Sequence, residues 1–278
     1  MARRDVRNTT HYWCDPHIPG MSLLRAELTT YRYAPHMHDA YVIAVTEAGG
    51  ASIMSQGRTE EALPSTIFLS NPREPQAASM LHNGQWRYRA FYVSESAAKQ
   101  MALALGLDHL PYFTTPLYTD TTLSNAIIAL HRSLEAMAVE RTHVYTRLID
   151  AIGHLVERCG APKCATIATD DDVVRDVITI MYDQYADRLQ LDDLSALVGV
   201  SPFQLIALFK RSIGMTPYTY LTQIRLRAAQ QYLMSGHSIT YAAAASGFYD
   251  QSAFTRHFKG CYGITPLQFV AARAARTL

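Results

Sequence analysis

The sequence predicts an α+β chain of two domains: an N-terminal antiparallel β-barrel or sandwich with flanking helices, and an all-α C-terminal domain carrying two helix-turn-helix units. Three observations predict it. Short β-rich runs punctuated by Gly, Pro and Asn fill the region from Leu23 to Val93. The hydrophobic period turns helical after Val93 and stays so to the end. The last third contains an internal repeat.

The strand runs come first. Tyr41 to Val45 is apolar and closed by Gly49-Gly50. Thr66 to Leu69 is closed by Asn71-Pro72. Trp86 to Val93 alternates long polar and apolar side chains, as a half-buried strand does. A first helix then starts at the N-cap Ser94 and stops at Gly106. A second runs from Thr121 to Met137 with Leu123, Ile127, Leu130 and Leu134 at helical spacing, and a third from Thr142 to Cys159. The second is amphipathic and is a candidate interface as well as a candidate cover for the barrel. Gly160-Ala161-Pro162 ends this part. The resulting boundaries are 1–160 for the first domain, 161–170 for a linker, and 171–278 for the second domain.

Composition bounds the function. At 278 residues the chain fits two domains. Hydrophobic residues make up 49% and charged residues 18%, which excludes wholesale disorder. From Ser201 onward, eight basic residues stand against Asp250 alone. That balance of +7 leaves −6 on the first 200 residues of a chain whose total is +1. A basic C-terminal third is the footprint of a polyanion-binding domain. Cys14, Cys159, Cys164 and Cys261 form no CxxC pair, so reduced thiols are expected rather than disulfides or a zinc site. No apolar run follows the N-terminal arginines and none approaches the ~18 residues of a membrane span, so a cytoplasmic protein is expected with no membrane partner.

The repeat carries the functional argument. Its first copy reads Leu191 to Gly199-Val-Ser201, then Phe209-Lys210, then Gly214-Met-Thr-Pro217. Its second reads Ile239 to Gly247-Phe-Tyr249, then Phe258-Lys259, then Gly263-Ile-Thr-Pro266. In each, a short helix meets a Gly that permits φ > 0 or close approach. A second helix then begins near Ser201-Pro202 or Asp250-Gln251, residue types suited to an N-cap and first turn. Two helices around a tight turn can place the second in a major groove. A helix from Pro217 to Met234 separates the copies.

The segment Gly247-Phe-Tyr-Asp-Gln-Ser252, then Phe254-Thr-Arg256-His-Phe258-Lys259, then Gly263 to Pro266, resembles the AraC/XylS family of transcription regulators from about Val173 to Val270. The resemblance implies two helix-turn-helix units joined by a linker helix, and double-stranded DNA as partner. It places Phe203, Gln204, Ile206 and Ala207 on the groove-facing side of the first recognition helix, and Gln251, Ser252, Ala253 and Arg256 on the second. Gln204 has the groups to pair with adenine, the apolar positions suit thymine methyls, and Arg256 suits guanine or a phosphate. Lys210, Arg211 and Lys259 suit phosphates. Arg225 on the linker helix is equally suited to an internal ion pair.

Tyr12-Trp13, Pro35 to Tyr41, Phe68 to Pro72 and Trp86 to Arg89 resemble the cupin-like sensing domain that precedes many such DNA-binding domains. This implies a small-molecule effector, with His36, His38, Tyr41, Trp86, Tyr88 and Arg89 as candidate contacts, and a homodimer. It leaves RNA polymerase open as a further partner and transcription activation as the output. His36-Met-His38, set on a strand, would put two imidazoles on one face. No Glu follows at the metal-ligand spacing, where Val42 and Ile43 stand, and Gln76 occupies a place where many relatives carry His, so neither a metal nor another cofactor is expected. Three alternatives stay open: a ligand-independent DNA binder, a cupin-type metalloenzyme fused to a DNA-binding domain, and a cyclic-dinucleotide effector held by the Arg3 and Arg7 pair. No nucleophile–base arrangement argues for an enzyme.

Overall fold

The computed structural model describes residues 8–15, 18–81, 84–136, 141–162 and 172–274. They fall into two compact units. One is built from the strands and the first three helices, the other from the seven later helices, and Tyr33–Met37 count with the second. Arg3, Arg7, Met137 and Cys164 lie outside the described residues, as does most of the expected 161–170 linker.

The strands before the first helix are β1 (Asn8–Cys14), β2 (Met21–Leu28), β3 (Arg32–His36), β4 (Ala40–Gly49), β5 (Ala51–Ser55), β6 (Arg58–Ala62), β7 (Thr66–Ser70), β8 (Gln76–Met80) and β9 (Trp86–Ser94). Then come α1 (Glu95–Ala104), β10 (Pro111–Phe113), β11 (Leu117–Thr119), α2 (Thr121–Ala136), α3 (Arg141–Cys159) and β12 (Gly160–Pro162). A six-stranded sheet runs β1-β2-β9-β4-β7-β11 and a four-stranded sheet β3-β8-β5-β6. The pairs β1·β2, β2·β9, β9·β4, β4·β7 and β7·β11 are antiparallel.

Both faces of β4 are buried, because side chains alternate across it. Tyr41, Ile43 and Val45, with Leu23, Leu69, Phe91 and Val93, pack under Met101, Ile127, Leu130 and Leu155 of the three helices. On the other face Trp86 stacks on Tyr88 at 4.3 Å and donates to Thr46 Oγ1. Between Thr46 and Ala48 the register with β9 shifts by one residue. The bulged residue is Glu47, which lies on the helix-covered face with Ile43 and Val45, beside Arg89.

Helix α1 begins where expected, with Ser94 Oγ accepting from Ala97 N. β12 pairs with β10, so the chain end that reads as a helix stop also forms a small ladder. Asn71, expected only to close a strand, supplies an amide that imitates backbone. It donates to Phe113 O at 2.9 Å and accepts from Phe113 N at 2.8 Å, fixing β10.

The second unit contains α4 (Asp172–Gln184), α5 (Leu191–Leu197), α6 (Pro202–Ser212), α7 (Pro217–Met234), α8 (Ile239–Ala245), α9 (Gln251–Tyr262) and α10 (Pro266–Ala274). Its first half packs Val174, Val177, Met181, Leu194, Leu205, Phe209 and Ile224 together. Its second half is an aromatic chain, Phe248–Phe254–Phe258–Phe269, with successive centroids 5.2, 5.5 and 5.7 Å apart. Among the described residues no single helix is long and apolar enough to cross a membrane.

Candidate nucleic-acid interface

The two halves of the repeat fold alike. After α5, Gly199 N donates to Ala196 O and Val200 N to Ser195 O. After α8, Gly247 N donates to Ala244 O and Phe248 N to Ala243 O. Both glycines have positive φ, +70° and +78°. α5 and α6 are bent by 87° from one another across the turn, the crossing that lets a second helix stand out from its partner. The turn before α6 has four residues, 198–201, and the turn before α9 has five, 246–250. That extra residue explains why Gly199 and Gly247 are 48 residues apart but Phe209 and Phe258 are 49 apart.

Each recognition helix is capped. Ser201 Oγ accepts from Gln204 N, and Gln204 Oε1 accepts from Ser201 N at 2.9 Å, closing a capping box with Pro202 in the first turn. Asp250 Oδ1 accepts from Ala253 N at 2.6 Å at the start of α9. Phe209 and Phe258, equivalent in the repeat, are fully buried, so the opposite faces of α6 and α9 turn outward. The exposed residues are Phe203, Gln204, Ala207, Lys210 and Arg211 on α6, and Gln251, Ser252 and Arg256 on α9. Lys259 is half-buried and Ile206 likewise.

Two features depart from the sequence-based expectation. The side-chain oxygen of Gln204 is taken up by its own cap, and that of Gln251 accepts from Thr240 Oγ1 at 2.7 Å. Among the described residues Arg225 makes backbone hydrogen bonds rather than an ion pair. Its Nε donates to Tyr185 O and an Nη to Asp187 O, at 2.7 and 2.8 Å, tying α7 to the chain after α4. The most exposed aromatic among the described residues, given no role by the sequence reading, is Tyr249, next to the α9 cap and 98% exposed. Its only signal was a large apolar residue inside a turn.

The expected effector residues do not form one group. Tyr41 and Arg89 lie on the helix-covered face of the sheet, where Tyr41 donates to Pro111 O. Trp86 and Tyr88 lie on the other face. His38 follows the end of β3 and packs on Tyr92 at 5.0 Å, so the two imidazoles are not on one strand face. His36 is buried with Nδ1 2.7 Å from Ala34 O, and burial lowers its pKa to about 4. No group of three potential metal ligands occurs among the described residues.

Arg89 belongs instead to a network that sequence patterns missed. It donates to Glu47 at 2.8 Å, to Glu135 of α2 at 2.6 Å, and approaches His131 Nδ1 at 3.0 Å. Arg132 also reaches Glu47, and Arg25 reaches Glu135. Burial alone would raise both carboxyls; the guanidiniums outweigh it and hold them below the usual range.

A separate apolar pocket lies between the sheet and the helices, bounded by Tyr41, Val93, Met101, Phe113, Ile152 and Val156.

Comparison with known proteins places these units. Residues 18–154 match the family model "AraC-like ligand binding domain" and residues 194–272 the model "Helix-turn-helix domain". The chain is 28% identical over 244 residues to the uncharacterized HTH-type transcriptional regulator YbfI of Bacillus subtilis, covering 86% of each. It is 41% identical over 76 residues to the regulatory protein Ada of Salmonella typhimurium, 27% of this chain and 22% of that one. Its fold is similar to the crystal structure of ToxT from Vibrio cholerae O395, with a TM-score of 0.53 at 13% identity, covering 96% of this chain and 98% of that one.

Proposed function

Because the chain belongs to the AraC family of transcription regulators, with a ligand-binding domain ahead of a helix-turn-helix domain, we propose that it binds as a cytoplasmic homodimer and that each chain reads two DNA elements about one helical turn, ~34 Å, apart. The observation that carries the reading is the matched pair of capped helices, α6 and α9, each with its Phe buried and its other face exposed. Arg256 reads a base edge or holds a phosphate from α9. Lys210, Arg211 and Lys259 neutralise phosphates and fix register. This reading gives the chain no enzymatic role, and contact with RNA polymerase follows at promoters where the protein activates.

The effector enters by the apolar pocket under α1 and α3. Its wall carries no charged group, which favours an apolar molecule. ToxT has been crystallised with an unsaturated fatty acid bound. The space open to a water molecule's centre here is about 20 Å³, so a larger guest enters only as α1 or α3 shifts. Binding then favours a different helix arrangement, which is the linkage a regulator needs.

Selection of bound sequences from random duplex DNA at fixed salt tests the DNA reading. The expected result is an enriched motif of two elements, one of which changes in Arg256→Ala. Sequence-blind, salt-sensitive binding alone would refute it. For the pocket, Met101→Trp should abolish a thermal shift produced by a medium-chain fatty acid; a shift that survives the substitution places the guest elsewhere.

A further inference from the structure

Helices α6 and α9 hold equivalent places in the repeat but expose different chemistry. On α6 the outermost side chain is Phe203, 84% exposed in the first turn, and Ala207 lies one turn further along the same face. The polar residue between them is committed elsewhere. Gln204 Oε1 accepts from both the backbone N and the Oγ of Ser201, each at 2.9 Å. A carboxamide that reads adenine needs its oxygen for the N6 amino group and its nitrogen for N7 at once. Pairing with adenine would therefore open the capping box that starts the helix. The cations of α6, Lys210 and Arg211, stand in its last turn, far from Phe203. On α9, Ser252 and Arg256 are the exposed residues at the corresponding surface.

We propose that α6 specifies its DNA element through thymine C5-methyl groups, taken by Phe203 and Ala207, while α9 reads hydrogen-bonding edges. This rests on the two-element reading above. Thymine is the base whose major-groove edge carries a methyl, and apolar side chains distinguish it by that group. An aromatic ring left in water on an otherwise folded helix gains by covering such methyls, whereas a hydrogen-bonding edge facing it would lose water without a partner.

The test uses the full chain and the duplex selected from random DNA, with affinity read by fluorescence anisotropy at fixed salt. Uracil replaces thymine in one element at a time, which deletes the methyl and leaves the pairing edge intact. The α6 element is identified as the one whose preference disappears in Phe203→Ala, a change confined to an exposed ring that leaves the capping box in place. Uracil there should weaken binding about fourfold per methyl contacted, the equivalent of one buried methyl group, and by less than about twofold in the other element. Cytosine at the same position should weaken binding, and 5-methylcytosine should recover part of the loss. In Phe203→Ala the uracil penalty should disappear at the position whose preference that change abolishes, while any methyl taken by Ala207 keeps its effect. Equal affinity of the wild-type chain for thymine and uracil at that element overturns the proposal, as does uracil sensitivity that is undiminished in Phe203→Ala. A wild-type chain that selects a motif but ignores uracil defeats the methyl reading alone; one that selects no motif defeats the two-element reading as well.

Discussion

Gly199 and Gly247 occupy the same place in the two turns but are required for different reasons. Both have positive φ, so any side chain is strained there. A Cβ at Gly199 would meet open space, whereas one at Gly247 would fall 2.8 Å from the carbonyl oxygens of both Tyr185 and Ala186. Gly199→Ala should therefore cost ~1–2 kcal/mol, the left-handed conformation alone. Gly247→Ala should cost clearly more, because backbone must move away. Denaturant melts of the two variants check the ranking; equal losses would show that the carbonyls yield freely. The sequence marked both glycines as turns, and the asymmetry was hidden because the crowding atoms are contributed by residues some 60 positions earlier. Gln204 teaches a related lesson. Its residue type suits adenine, yet a Ser three residues before it claims its oxygen, a capping-box spacing that is visible in Ser201-Pro-Phe-Gln204. Gln204→Ala should lower stability by ~1 kcal/mol and leave the preferred base of the α6 element unchanged. A changed base preference would show that Gln204 leaves its cap on DNA.

Among the elements, α2 depends on side chains as much as on its apolar stripe. Leu123, Ile127 and Leu130 seat it on the sheet at helical spacing, which the sequence shows directly. Its C-terminal end is held by Glu135 to Arg89 and Arg25, and by Arg132, one turn earlier, to Glu47. Those partners are 42 to 110 residues apart in the chain, and Glu47 shares the helix-covered face with Ile43 and Val45 by alternation along β4. No local pattern announces such pairs. Arg89→Met removes the cation between two carboxylates, one of them 4% exposed, and should destabilise the unit by roughly 3–5 kcal/mol. A loss under about 1 kcal/mol, the worth of a surface pair, would mean that the network is open to water. Alternation along Trp86 to Val93 puts Arg89 on the face opposite Trp86 and Tyr88, under the helices rather than with them.

Across the whole molecule, stability should fall in mild acid. Burial, and then the Arg89 charge beside it, lowers the His131 pKa from 6.5 to about 4. The unfolded chain thus binds a proton that the folded one refuses between those values. Stability from this group is complete above pH 6.5 and is lost as pH falls through that window toward 4, by up to ~1.4 kcal/mol per unit. Glu47 and Glu135, held low by their guanidiniums, add a loss that begins as pH falls through the usual carboxylate range and continues below it. His131→Gln should flatten the melting profile between pH 6.5 and 4; an unchanged slope would assign it to other groups. The two-domain plan was legible throughout. Strand runs, the change of period after Val93 and the repeat each depend on local pattern. The charged β6 and the three-residue strands β10, β11 and β12 were not, because pairing rather than composition makes them strands.

The central claim, that one chain places two recognition helices in neighbouring grooves, is tested most directly by major-groove footprinting on the selected duplex. The account predicts two protected patches on one face, about ten base pairs apart, with Phe203→Ala losing one patch and Arg256→Ala the other. A single patch, or two that vanish together in either variant, would contradict it.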